Sequence, residues 1–210
     1  MLVIFRNITF AILSLSFTNL LSAEFEGKIT MVKETCFDTL YYTYFISKNN
    51  VRIEESNARK TITGIYLVNM EKEEVFFIHP SKSIYTKLRK QVSAETNGNF
   101  EIRKTENYKL VNGVKCFQWR VRNKTKNTEF AYWVTQNDFE FFDKMVSVLN
   151  QHTLRWEFFN QIPNTKGFFP MLSEERTLVR DQKMRTAVLQ IKRKTLDDTI
   201  FNIPSAYRKM

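Results

Sequence analysis

Apolar and polar residues alternate along most of the chain after residue 24, which is the pattern of β-strands with one buried face. The alternation is clear at Phe25, Gly27, Ile29 and Met31. Polar turns of only a few residues separate the apolar segments, so strands that are neighbours in sequence should pair antiparallel in space. The pattern places strands within residues 25–31, 40–46, 51–54, 65–68, 75–78, 83–86, 108–111, 114–121, 130–134, 168–172, 177–179 and 184–196.

The strongest local turn signal is Asn112–Gly113, which lies between two apolar segments. Both residue types tolerate the positive φ that a two-residue type I′ turn requires. The sequence therefore predicts a β-hairpin at this position.

A single helix is predicted over residues 138–150. It begins after Asn137 and Asp138, whose side chains favour the N-cap position. Its apolar residues recur at helical spacing, namely Phe139, Phe142, Met145, Val146 and Leu149. Such a stripe either fills a core or faces a bound ligand, and the sequence leaves both open. The fold class expected is mainly β (α+β), with one twisted antiparallel sheet or half-barrel of about nine to eleven strands and the helix against its concave face.

The first 23 residues have the organisation of a cleavable secretory signal. An apolar segment over 8–21 follows a short start with one charge, Arg6, and the small residues Ser22 and Ala23 suit cleavage after position 23. The alternative, an uncleaved anchor, requires about 20 apolar residues, and this segment is shorter and contains polar residues. We therefore expect a periplasmic or secreted protein with one domain over 24–210. No cysteine stands directly after the apolar segment, so a lipid anchor is not expected.

The charge balance is basic, with a formal net charge of +10. Such a charge suits an anionic membrane surface or a polyanion, and equally a solvated surface that keeps the protein in solution. Export argues against nucleic acid as the partner. The sequence does not indicate an oligomeric state.

Cys36 and Cys116 are the only cysteines of the chain. In an oxidising compartment such a pair can form a disulfide, provided that the two residues lie on neighbouring strands. Alternatively, they are two small buried side chains on separate strands. The sequence leaves both alternatives open.

The chain has few residues of the kinds that catalysis and metal binding need. There are two histidines, His79 and His152, in unrelated settings, which argues against a zinc site. No nucleophile elbow or glycine-rich phosphate loop occurs. Asp197 and Asp198 are better explained as a turn than as a catalytic pair. We therefore expect a protein that is not an enzyme and needs no metal or other cofactor.

Aromatic residues are abundant, with nineteen Phe, eight Tyr and three Trp. A curved sheet that carries them on its inner face forms a concave apolar surface, the usual form of a ligand pocket. A filled core beneath the sheet explains them equally well. The candidate ligand-binding residues are Tyr42, Tyr44, Phe77, Trp119 and Trp133 on strands and Phe142, Met145 and Leu149 on the helix.

Several short segments together resemble a family of exported bacterial proteins with a domain of unknown function. They are Phe25-Glu26-Gly27-Lys28-Ile29, Asn50-Val51-Arg52-Ile53-Glu54, Tyr66-Leu67-Val68, Val75-Phe76-Phe77-Ile78, Asn112-Gly113-Val114-Lys115-Cys116, Trp133-Val134-Thr135, and Phe201-Asn202-Ile203-Pro204 with Tyr207. The chain departs from the family at Ser205-Ala206, where a glycine is usual. The family is similar to the outer-membrane lipoprotein carriers, whose half-barrel encloses an apolar cavity. The resemblance implies binding of a lipid, acyl chain or lipoprotein, and it transfers no catalytic residue.

Two functions therefore follow from the sequence. The first is an exported module of the cell envelope that binds a lipid or another hydrophobic ligand in the concavity of its sheet. The second is an envelope structural or interaction protein with a filled core, which acts through its basic surface or a sheet edge. A continuous apolar cavity would favour the first.

Overall fold

A computed structural model describes residues 24–90, 100–152 and 158–210. The predicted signal segment, 1–23, lies outside the described residues. Within them, one α-helix and twelve strands form. The helix is α1 (Glu140–Asn150) and the strands are β1 (Gly27–Thr35), β2 (Thr39–Ser47), β3 (Asn50–Ser56), β4 (Ile62–Asn69), β5 (Glu74–His79), β6 (Ile84–Lys87), β7 (Phe100–Val111), β8 (Val114–Asn123), β9 (Thr128–Gln136), β10 (Phe168–Thr177), β11 (Gln182–Arg193) and β12 (Arg208–Lys209).

All of these strands belong to one sheet, in the order β12-β6-β5-β4-β3-β2-β1-β11-β10-β9-β8-β7. Strands β1 to β6 form one meander and β7 to β11 form another, and the two meet where β1 pairs with β11. The pairs are antiparallel except for β12 with β6, which is parallel. The described strands leave the sheet open, with β12 and β7 at its edges. The predicted mainly β fold, a half-barrel with one helix on its concave face, is confirmed.

The local turn chemistry explains the connection between β7 and β8. Asn112 and Gly113 have φ angles of 52° and 78°, as the predicted turn requires. The Asn112 side chain also donates a hydrogen bond of 2.6 Å to the carbonyl oxygen of Val188 on β11. Because β10 and β9 separate β11 from β8, the tip of this hairpin reaches across the outer face of the sheet.

The helix begins two residues later than the sequence indicated. Phe139 occupies the N-cap position and provides no side-chain cap. The predicted capping residue Asp138 instead accepts a hydrogen bond from the guanidinium of Arg193. The predicted strand at 177–179 is also absent, because β10 continues to Thr177 and the next residues form the turn into β11.

The main core lies between the concave face of the sheet and the helix. Phe142, Met145 and Phe159 are almost entirely buried there. The ring of Phe142 contacts those of Phe159 and Phe169, with centroids 5.2 and 4.9 Å apart. The helix and the turn at Phe159–Gln161 thus cover one part of the concave face.

Smaller apolar clusters lie on the outer face. Val32, Leu172 and Ala187 form one of them. A second consists of Ile65, Leu67 and Ile78, against which the C-terminal residues Ile203 and Tyr207 pack. The C-terminal segment thereby covers the outer face of the first meander.

The two cysteines are free. Cys36 is exposed in the turn after β1, whereas Cys116 is buried on β8. Three strands, β11, β10 and β9, lie between β1 and β8. With neighbouring strands about 4.8 Å apart, the condition for a disulfide, two adjacent strands, is not met.

The described residues include no helix that is long and apolar enough to cross a membrane. Within the same residues, no three His, Cys, Asp or Glu side chains come together in a way that could hold a metal ion. Asp197 accepts a hydrogen bond from the backbone NH of Thr199 and caps a short turn, which is the structural role expected for it.

Candidate functional site

A cavity of about 640 Å³ lies on the part of the concave face that the helix does not cover. It spans the junction of the two meanders, since its walls come from β1 to β4 on one side and β9 to β11 on the other. Its apolar and aromatic lining consists of Tyr42, Tyr44, Ile53, Tyr66, Phe130, Tyr132, Leu149, Phe158 and Met184. Its polar lining consists of Lys33, Glu55, Lys126, Thr128, Ser173, Glu175, Lys183 and Thr186. The volume lies within the roughly 300–1,000 Å³ typical of small-molecule pockets.

A row of polar side chains crosses four adjacent strands along the cavity wall. Lys33 on β1 pairs with Thr186 on β11. Thr186 pairs in turn with Ser173 on β10, and Ser173 pairs with Tyr132 on β9. Directly paired residues lie on the same face of a sheet, and all four line the cavity. We call these residues, Lys33, Thr186, Ser173 and Tyr132, the polar row.

The polar row forms no hydrogen bond or ion pair with any other side chain or backbone group of the protein through its side chains, as far as the described residues extend. Ser173 and Thr186 are nonetheless buried, with 5% and 9% of their surface exposed. Both residues line the cavity, and the described residues provide no hydrogen-bond partner for their hydroxyls. These hydroxyls are therefore available to a group that enters the cavity.

Burial also raises the pKa of the cavity tyrosines. Desolvation raises the pKa of Tyr44 and of Tyr132 well above the ordinary value for a phenol. Burial likewise raises the pKa of Tyr42, with a further contribution from the nearby negative charge of Glu55. At neutral pH these phenols are hydrogen-bond donors and carry no charge.

The carboxylates in the cavity are bonded to protein groups. Glu55 accepts hydrogen bonds from the hydroxyls of Tyr42, at 3.0 Å, and Thr63, at 3.2 Å. Glu175 accepts a hydrogen bond of 3.0 Å from Thr128 and lies 3.9 Å from the ammonium of Lys183. Both carboxylates thus accept hydrogen bonds from protein hydroxyls, and Glu175 also has the Lys183 cation close by.

The structure brings three of the eight candidate ligand-binding residues together in the cavity. Tyr42 and Tyr44 form part of one wall, and Leu149, in the last turn of α1, also lines the cavity. Phe77 is close by, since it pairs with Tyr66 in the sheet and their ring centroids are 4.6 Å apart. It does not line the cavity itself.

Three other candidates belong to the packed core beneath the helix. Phe142 and Met145 are 1% and 0% exposed and do not line the cavity. Trp119 is also buried, with its ring centroid 4.6 Å from that of Phe168. The sequence left open whether the apolar stripe of the helix fills the core or faces a ligand. For Met145, the structure shows that it fills the core.

Trp133 lies on the other face of the sheet. Side chains alternate along a strand, so a residue next to Tyr132 points away from the cavity. Trp133 packs beside the cluster of Val32, Leu172 and Ala187, and the ammonium of Lys109 lies 4.1 Å from its ring centroid. The structure therefore does not bring Trp133 to the cavity.

The polar row is not apparent from the sequence. One signal was present, because Lys33 continues the inward alternation of Ile29 and Met31. A lysine at an inward position marks a cavity or a solvated end of a sheet face. Its neighbours in the row come from β9, β10 and β11, and nothing in the sequence shows that these strands lie beside β1.

The chain belongs to the DUF4412 family, a domain of unknown function, whose model matches residues 25–207. This confirms the resemblance to a domain-of-unknown-function family. A comparison with curated proteins gives no match.

The fold is similar to that of several solved structures. One is an uncharacterized conserved protein from Thermus thermophilus, with a TM-score of 0.54 and 8% identity, covering 88% of this chain and 90% of that one. A PNGF-II structure has a TM-score of 0.46 and 10% identity over 87% of this chain and 30% of that one. A domain described as an outer membrane lipoprotein-sorting protein, from Vibrio parahaemolyticus, has a TM-score of 0.34 and 7% identity over 84% and 88%. At 8% identity, the likeness to the Thermus thermophilus protein concerns the fold alone.

Proposed function

We propose that this protein is an exported, non-enzymatic binding protein of the cell envelope that holds a lipid or an acyl chain in the cavity of its half-barrel. The cavity at the junction of the two meanders carries this proposal. Its walls combine aromatic rings with Ile53, Leu149 and Met184, so a hydrocarbon chain placed there would be removed from water. The family's resemblance to lipoprotein carriers suits such a ligand as an analogy of fold.

The proposed location in the envelope depends on the signal segment, residues 1–23. Export also suits a carrier of hydrophobic molecules, because such molecules cross an aqueous compartment only when they are shielded. The basic balance of the chain favours contact with anionic membrane surfaces, where a lipid would be collected or released.

The direct test is native mass spectrometry of the protein purified from its own envelope, looking for co-purified lipid. A titration of the delipidated protein with a fluorescent fatty acid provides the affinity. We expect the substitution Leu149→Trp to fill one end of the cavity and weaken binding of the probe. The matched control is Leu189→Trp, the same change at a residue that is 52% exposed on β11.

A second variant keeps the test valid if Leu149→Trp fails to fold. Met184 is only partly buried and also lines the cavity, so Met184→Trp should narrow the cavity at a lower structural cost. Thermal unfolding would establish that each variant is folded. If folded Leu149→Trp and Met184→Trp proteins bind the probe as well as the parent does, the cavity is not the binding site. The alternative, an interaction protein that acts through its surface, would then be favoured.

A further inference from the structure

The groups that the polar row offers to a ligand can all donate hydrogen bonds, and one of them is a cation. Glu55 and Glu175, its two carboxylates, are already engaged by Tyr42, Thr63, Thr128 and Lys183. The polar row retains an ammonium and three hydroxyls, and the described residues supply no partner for them. A lysine ammonium can only donate hydrogen bonds.

The donors of the polar row are arranged along a line. Its four residues lie on consecutive strands, about 4.8 Å apart, so the row extends about 14 Å from Lys33 to Tyr132. The phenol of Tyr132 is protonated at neutral pH, and burial, with a further contribution from the negative charge of Glu175, raises its pKa above the ordinary value. The apolar wall of Ile53 and Leu149 lies in the same cavity. One ligand can therefore contact donors along the row and apolar groups elsewhere.

We propose that the ligand is a single-chain anionic amphiphile, whose carboxylate or phosphate head is bound by Lys33 and the hydroxyls of Thr186, Ser173 and Tyr132. This inference rests on the proposed function, since it specifies the ligand of the same cavity. A neutral lipid would leave the Lys33 ammonium without a counter-charge in a half-buried position. An anionic head supplies a counter-charge for Lys33 and acceptor oxygens for the O–H groups of the row.

The test compares three ligands with the same hydrocarbon chain, namely dodecanoate, dodecyl phosphate and dodecanol. Each displaces a fluorescent acyl probe from the delipidated protein at low salt and a pH where the carboxylate is ionised. We expect at least one of the two anions to bind about tenfold more tightly than the alcohol, because of charge-assisted hydrogen bonds. The stronger anion identifies the source, a fatty acid or a phosphate-bearing lipid. The advantage should decrease at high salt.

Substitution of Lys33 by Met should bring the anions to the affinity of the alcohol and leave dodecanol binding unchanged. The matched control is Lys28→Met, which removes the same charge from the same strand. Lys28 points to the outer face, where its ammonium lies 5.6 Å from the ring centroid of Phe45. This variant should retain the preference for the anion.

The outcomes separate this inference from the proposed function. Binding of all three ligands with equal affinity, in the parent and in Lys33→Met, would overturn the anionic head group and leave lipid binding intact. Failure of the delipidated protein to bind the acyl probe at all would overturn the proposed function itself. If Lys28→Met loses the anion preference as well as Lys33→Met, the preference arises from the net positive charge of the protein. That result would also overturn the role of the polar row.

Discussion

Thr186 on β11 is the direct antiparallel partner of Ser173 on β10, and both hydroxyls face the cavity without a hydrogen bond to a described protein group. Their position opposite each other is typical of Thr–Ser pairs that stabilise a sheet. Here the pair contributes no such bond. The two hydroxyls can therefore bind a group in the cavity, and they add no hydrogen bond that would stabilise the sheet.

Thr186→Val should therefore leave stability nearly unchanged. The two side chains have similar shape, and no protein hydrogen bond is lost, so the free energy of unfolding should change by less than about 1 kcal/mol. The control is Thr128→Val, since the Thr128 hydroxyl has two acceptors within hydrogen-bond distance, the Glu175 carboxylate and the carbonyl oxygen of Arg176. That change should cost about 1–3 kcal/mol. Denaturant unfolding measures both, and an equal loss in the two variants would contradict the argument.

The helix provides a second matched pair of substitutions. Met145 is fully buried in the core, so Met145→Ala should cost about 2–5 kcal/mol of stability and leave binding of an acyl probe unchanged. Leu149 adjoins the cavity, so Leu149→Ala enlarges an existing space and should cost less. It should weaken probe binding by about 1 kcal/mol, the value of the lost apolar contact. Weaker binding in Met145→Ala at unchanged stability would show that the core and cavity assignments are reversed.

The cavity tyrosines predict how stability changes at alkaline pH. Burial raises the folded-state pKa of Tyr132 and Tyr44, so the unfolded chain loses these phenolic protons first as the pH rises. Stability is then fully present below the unfolded pKa of about 10 and falls above it, by at most about 1.4 kcal/mol per pH unit for each tyrosine.

Denaturant unfolding across this pH range, with phenolate absorbance as a second signal, measures the effect. Tyr132→Phe removes one of the titrating groups and should show a shallower loss of stability above a pH of about 10. An identical slope in the parent and this variant would mean that Tyr132 ionises in the folded protein.

The two cysteines should differ in reactivity. Cys36 is exposed, whereas burial raises the pKa of the Cys116 thiol and limits access to it. A maleimide should therefore add once to the native protein and twice to the unfolded protein, as counted by mass spectrometry. A protein that is labelled only after reduction would instead contain a disulfide.

The sequence predicts the local features of this fold well, because they depend on neighbouring residues. Asn112–Gly113 specifies its own turn, and the spacing of Phe142, Met145 and Leu149 specifies a helix. The alternation in Phe25 to Met31 similarly indicates β1. Such signals were sufficient for the fold class.

The cavity depends on pairings that the sequence does not encode locally. Lys33 joins Thr186 only because β1 pairs with β11, and that register includes an irregularity beside Met31. The sequence also does not determine locally which residues of a strand face the cavity and which face outward. Trp119 and Trp133 look equivalent as aromatic strand residues, yet Trp119 pairs with Tyr132 and faces inward, whereas Trp133 faces outward.

The junction of β1 with β11 has a consequence for the order of folding. Glu34 and Arg185, joined by a hydrogen bond of 2.8 Å across it, are 151 positions apart in sequence. Each meander consists of short-range pairings that form quickly, whereas a contact over this separation is slow to form. Gly27 adds a steric requirement, because a Cβ there would lie 2.1 Å from the carbonyl oxygen of Lys192.

Neither meander alone contains both walls of the cavity. We therefore expect a half-synthesised or half-unfolded chain to have no affinity for the ligand, which would stabilise only the completed protein by mass action. Under the proposed function, ligand binding would then report complete folding, since only a molecule in which β1 has paired with β11 could bind the ligand.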